Sequence, residues 1–112
     1  MNKRIKKSWI KALRSGKYEQ GEGALRKGDQ FCCLGVLCDL HAKATGDQWD
    51  ADSNGYSYHG ARAMLPEAVA NWAGINDDDP KLGPRRISKH AAATNDSGKD
   101  FSYIADRIEK YL

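Results

Sequence analysis

Three thiols and one imidazole, Cys32, Cys33, Cys38 and His41, fall within residues 31–41. Thiol attack needs a thiolate with a base in reach. Cys32 falls in the first turn of the helix predicted here, where the dipole would lower its pKa. His41 is about two and a half turns further along the same helix and out of reach. His59 and His90 could approach only through the fold. For zinc, Cys33, Cys38 and His41 are spaced by five and three. Cys38 and His41 share a helix face while Cys33 points elsewhere, and the paired C-x-x-C spacing of structural zinc sites is missing. No metal or cofactor is expected on these grounds.

Two other patterns could bind rather than react. Gly21-Glu22-Gly23-Ala24-Leu25-Arg26 starts like a phosphate-binding loop but completes neither G-x-G-x-x-G nor G-x-x-x-x-G-K-[ST]. The acidic run Asp77-Asp78-Asp79 lacks the alternating oxygens and later bidentate glutamate of a calcium loop. Lys3, Lys6, Lys7, Lys11 and Arg14 give the N-terminal segment a basic face, open to phosphates or to an acidic protein surface. They are the candidate binding residues; the blander alternative is a solvated face.

The charge is unevenly spread around a net +3. Residues 1–28 carry nine Lys/Arg against two Glu, and residues 29–80 carry two against nine. Such asymmetry marks either a partner-facing surface or segments that face each other in the fold. With 40% hydrophobic and 29% charged residues, the 112-residue chain is predicted to be one globular domain over 1–112. No apolar run approaches the roughly 20 residues of a membrane span. No apolar stretch follows the basic Met1-Asn2-Lys3-Arg4, so the cytoplasm is the expected location. Three cysteines, two of them adjacent, read as free thiols packed in a core.

These residues need elements to position them. Ile5, Trp9, Ala12 and Leu13 form one stripe of a helix over 3–14, ended by Ser15-Gly16. The run from Gln30 to Lys43 is apolar on nearly every side and predicts a buried central helix, with Asp29 as its cap and Gly46 beyond it. Gly35 inside it costs about 1 kcal/mol relative to alanine and points to close packing there. His41, near the helix C-terminus, would have its protonated form favoured by the dipole. Residues 17–28 read as a loop or irregular hairpin, turning at Arg26-Lys27-Gly28-Asp29. Ser53-Asn54-Gly55 predicts a second hairpin with an Asn-Gly loop, which must pack on the helices or pair with residues 17–28. Pro66 and Glu67 open a third helix that Gly74 stops. A short helix capped by Ser88 runs to Thr94, then a turn at Asn95-Asp96-Ser97-Gly98. The final helix starts near Asp100, with Phe101, Ile104, Ala105, Ile108 and Leu112 on one face. Leu37 and Ile104 belong to the predicted core.

Several strings together carry a resemblance. They are residues 9–18 (WIKALRSGKY), 31–38 (FCCLGVLC), Leu65-Pro66 with Trp72-Ala73-Gly74, and Asn95-Asp96-Ser97-Gly98 with Phe101 and Ile104-Ala105-Asp106. The chain resembles a family of small uncharacterised proteins of tailed phages and prophages. The resemblance implies an accessory protein of the bacterial host cytoplasm and assigns no activity and no site residues. By analogy with small phage proteins as a class, such a protein acts by binding a host factor, as an inhibitor or by ligand sequestration. Separately, residues 98–108 look similar to the first helix of a helix-turn-helix, although the recognition helix would have to follow where the sequence ends.

The combined expectation is an α+β domain, about four helices around a buried central helix with a small antiparallel hairpin or sheet. The expected function is non-enzymatic binding of a host protein, as an anti-defence protein. The alternatives are nucleic-acid binding through the basic helix and the C-terminal pair, and a small cysteine- or metal-dependent enzyme.

Overall fold

Asn2 starts the first helix: its Oδ1 accepts the Ile5 N–H at 3.0 Å, satisfying one of the four orphan donors of a helix start. Helix α1 spans Lys3–Arg14 and buries Ile5, Trp9 and Leu13, with Ala12 half-buried beside them. Gly16 follows at φ +76°, as the stop signal predicts. The computed structural model describes residues 1–84 and 89–112. The Ser88 cap and the Arg85-Arg86 part of the linking loop therefore lie outside the described residues.

Three two-residue strands come next: β1 Glu19–Gln20, β2 Arg26–Lys27 and β3 Gln30–Phe31, in the order β1-β3-β2. β2 and β3 form a hairpin that turns at Gly28 and Asp29. β1 pairs with β3 in parallel, which the expected antiparallel sheet does not contain. The hairpin folds back so that β3 returns beside β1 in the same direction. Gly21 N–H to Phe31 O at 2.8 Å extends that ladder.

Helix α2, Cys33–Thr45, starts three residues later than predicted. Asp29 cannot cap it, because Asp29 sits in the turn and Gln30 and Phe31 are paired in β3. Cys32 takes the cap position, with its Sγ accepting the Gly35 N–H at 3.4 Å. Gly46 ends the helix at φ +85°. Cys33, Leu34, Val36, Leu37 and Cys38 have no exposed surface, so this is the buried centre the composition predicts.

The second hairpin joins β4 Asp50–Asp52 to β5 Gly55–Ser57. Its loop residues are Ser53 and Asn54, one position earlier than the expected Asn-Gly pair. Gly55 pairs with Asp52, and the Asp52 carboxylate accepts the Asn54 N–H at 2.8 Å. The hairpin lies against β2, where the Arg26 guanidinium sits 3.9 Å from the Tyr56 ring centre and 5.5 Å from that of Trp49. A cation on aromatic faces is attractive, and a two-stranded hairpin needs such an anchor.

Helix α3, Glu67–Ala73, has Pro66 as its cap residue and ends at Gly74. Its last carbonyl, Ala73 O, accepts the Asn2 N–H at 2.8 Å and ties the N-terminal segment down. Helix α4 covers Ala91–Asp96, two residues beyond the predicted end, so Ser97-Gly98 alone makes the turn. Helix α5, Phe101–Tyr111, is capped by Asp100, whose Oδ1 accepts the Tyr103 N–H at 2.8 Å. α5 buries Phe101, Ile104, Ala105 and Ile108 and packs along α1, while α1, α3 and α4 contact α2. Three helices thus pack on α2, and α5 covers α1 and α4. The radius of gyration, 12.8 Å, is close to the ~13 Å of a single folded domain this long. Among the described residues no helix is long and apolar enough to cross a membrane.

Candidate functional site

The thiols are the first residues to place, since their chemistry depends on access. Cys32 is 3% exposed, and Cys33 and Cys38 are fully buried. Burial pushes the Cys32 thiol up to about 11 and raises the other two as well, because a thiolate is disfavoured away from water. The cap position does not rescue Cys32: the Gly35 and Leu34 N–H groups oppose a larger desolvation cost. The Cys33 Sγ lies 3.5 Å from Ala91 O, a packing contact between α2 and α4. Native protein is therefore expected to react with a soluble disulfide reagent far more slowly than unfolded protein, which should show three thiols at once. Rapid labelling of Cys32 in the folded state would overturn this.

Asn95 explains how the buried start of α2 is satisfied. Its side chain is fully buried, and its Oδ1 accepts the Cys33 N–H at 3.1 Å from 62 residues away. The same oxygen accepts from Gln20 Nε2 at 2.9 Å, while Asn95 Nδ2 donates to Gly21 O at 2.8 Å. One amide thus joins α4, the β1 end and the α2 N-terminus. In the sequence it sits inside a turn signal, which conceals this role.

The basic candidates separate into three environments. Lys3, Lys7 and Lys11, four residues apart, form one exposed row, with Arg4 and Ser8 alongside. Lys6 is half-buried on the flank. Arg14 is engaged within the molecule, at 2.6 Å from Asp106 and 3.0 Å from Glu109 on α5. Among the described residues no ion pair involves Lys3, Arg4, Lys7 or Lys11. The row also works against its own helix. Like charges four apart cost about 0.2–0.5 kcal/mol each, and cations in a first turn oppose the helix dipole. α1 has no acidic residue there to compensate.

The histidine expectation needs correction. His41 is 5% exposed, and burial lowers its pKa, with His59 lowering it further and Asp47 opposing. Desolvation outweighs the favourable helix C-terminus. Its Nδ1 lies 2.6 Å from the hydroxyl of Tyr58, which burial raises to about 12 and so keeps protonated. The His59 Nε2 lies 2.9 Å from Asp47 Oδ2, on the surface beside it. The zinc set considered from spacing, Cys33 with Cys38 and His41, is not assembled. Among the described residues the one place where three ligating side chains converge is His41, Asp47 and His59.

A family profile, that of a domain of unknown function (DUF8296), matches residues 1–112. The chain belongs to the DUF8296 family. No curated protein and no solved structure matches it. In this DUF8296 domain the exposed lysine row of α1 and the His41 cluster lie on separate elements, and the Asn95 network ties α4 to the start of α2.

Proposed function

We propose that the chain is a non-enzymatic accessory protein of tailed phages or prophages, working in the host cytoplasm. Its action is to bind an acidic surface of a host protein, a component of host defence, and to inhibit or redirect it. The observation that carries this reading is the row Lys3, Lys7 and Lys11, exposed, outside every ion pair among the described residues, and set against its helix's own electrostatics. The inaccessible thiols support binding over thiol catalysis. The motif strings of residues 9–18, 31–38 and 95–106 support the phage origin. Exposed cations of this kind steer encounters and are screened by salt.

The double substitution Lys7→Glu and Lys11→Glu tests this. Both side chains are exposed, so the fold, read by circular dichroism, should persist. Recovery of a single host protein from bacterial lysate by the wild type is expected to fall at least about tenfold with the double variant, as expected when charge complementarity is reversed. Equal recovery by both proteins would sink the basic-face reading. A steep salt slope on DNA with little sequence preference would instead favour the nucleic-acid alternative. Asp77→Lys with Asp78→Lys is the control on the acidic loop: loss of binding there, with full affinity kept by the lysine-row variant, would overturn the basic-face reading. Asp79 is half-buried, and its Oδ1 accepts the Ala92 N–H at 2.9 Å, so reversing it would release the start of α4.

A further inference from the structure

We propose that His41, Asp47 and His59 form a binding site for a divalent transition-metal ion of the zinc class, distinct from the lysine face. One ligating atom from each residue lies within 4.8 Å of the other two. Around a tetrahedral zinc with bonds of about 2.0–2.2 Å, donor atoms are about 3.4 Å apart. Asp47 and His59 are exposed and already 2.9 Å apart, so side-chain rotation of this pair can bring the donors to that spacing around an ion, whereas His41 is held in the core.

The supports are those a metal site needs. The Tyr58 hydroxyl engages one ring nitrogen of His41 at 2.6 Å, an outer contact of the kind that fixes a ligating imidazole. Trp72 packs edge-on against the same ring at 5.1 Å, restricting its rotation. Two imidazoles and one carboxylate suit zinc, while calcium and magnesium prefer all-oxygen sites.

The backbone at His59 is a separate observation. His59 and Gly60 close the Tyr58–Ala61 bridge with φ of +49° and +80°. Two positive φ values are the region of a type I′ turn, for which Asn-Gly is the favoured pair. A side chain other than Gly, Asn or Asp there is strained, by about 1–2 kcal/mol. The strained position carries the imidazole that completes the cluster, and strain of this kind gathers at ligand sites. A bound ion would tie the segment after α2 to the Tyr58 turn, leaving its outer position to solvent.

Zinc chloride titrated into the purified full chain, followed by calorimetry, is expected to show one equivalent bound. His59→Ala and Asp47→Ala should each weaken binding at least about tenfold, the scale on which even outer supports of metal sites act. Both positions are exposed, so folding should survive; Asp50→Ala, outside the cluster, should bind like the wild type. Cobalt(II) in place of zinc should give visible d–d absorption without a thiolate charge-transfer band. Absence of stoichiometric binding, wild-type affinity in both cluster variants, or a thiolate band would each overturn the proposal.

Discussion

Gly35→Ala is expected to leave the protein without a stable native state, although alanine is the better helix former by about 1 kcal/mol. A β-carbon at position 35 would fall 1.8 Å from Leu25 O, 2.7 Å from Leu25 C and 3.2 Å from Leu25 Cα. All three are backbone atoms, so no side chain can swing away. Leu25 cannot retreat cheaply either. Its N–H donates to Arg62 O at 2.8 Å, its carbonyl accepts the Cys32 N–H at 3.2 Å, and its side chain is fully buried. Relieving the overlap means separating β2 from α2 and unpacking the core beside them. The expected loss exceeds about 4–5 kcal/mol, in the range of exceptional single substitutions and comparable to the whole stability of a small domain. In thermal denaturation this reads as a fall of about 20 °C or more, or no cooperative transition. Gly28→Ala is the control for glycine loss alone. Gly28 has φ +58° and nothing within 4 Å of a built β-carbon, so only backbone strain of about 1–2 kcal/mol is at stake. Wild-type stability in the Gly35 variant would show that Leu25 does not lie against α2.

Removing the Asn95 amide is the second large effect. Asn95→Ala leaves the Cys33 N–H and the Gly21 carbonyl without their partner and takes an acceptor from Gln20. Each buried group left unsatisfied costs about 1–3 kcal/mol, so about 3–5 kcal/mol is expected from urea unfolding. Asn95→Asp keeps the shape but turns the Gly21 donor into a second acceptor and places a charge in a site with no exposed surface; it should be at least as damaging. A change below about 1 kcal/mol in the alanine variant would mean that the start of α2 is satisfied in another way.

The sequence made the two outer helices plain because their stripes obey helical periodicity. Ile5, Trp9 and Leu13 in α1, and Phe101, Ile104, Ala105 and Ile108 in α5, are buried as their spacing requires. The central helix was legible from its density of apolar residues, while its start was not. Asp29 is a far better cap by type than Cys32, yet two residues of strand pairing between Asp29 and the helix decided the matter. Those strands are two residues long, too short to show alternation, and the parallel partner of β3 is set by the fold alone. Gly35 advertised a close approach without naming Leu25 as the neighbour. The Asn95 network stayed hidden because it joins residues 62 to 75 apart, and propensity speaks only of near neighbours. The His41 cluster is local in sequence, but its spacing follows neither helix nor strand periodicity, and only the Tyr58–Ala61 turn brings His59 beside His41.

The packing of α1 along α5 bears on how the chain can be assembled. The Arg14 pair with Asp106 spans 92 residues, and the Asn95 bonds to Cys33, Gly21 and Gln20 span 62 to 75. As the polypeptide leaves the ribosome, the apolar stripe of α1 can meet α2 early but lacks its α5 cover until residues 101–111 follow, and α2 has no partner for its first amide until residue 95 is present. Closing loops of that size costs entropy before any contact repays it. Although the domain is rich in helix, its contact order is raised by these end-to-end ties, and its folding rate should resemble that of mixed α/β domains rather than that of local helical bundles.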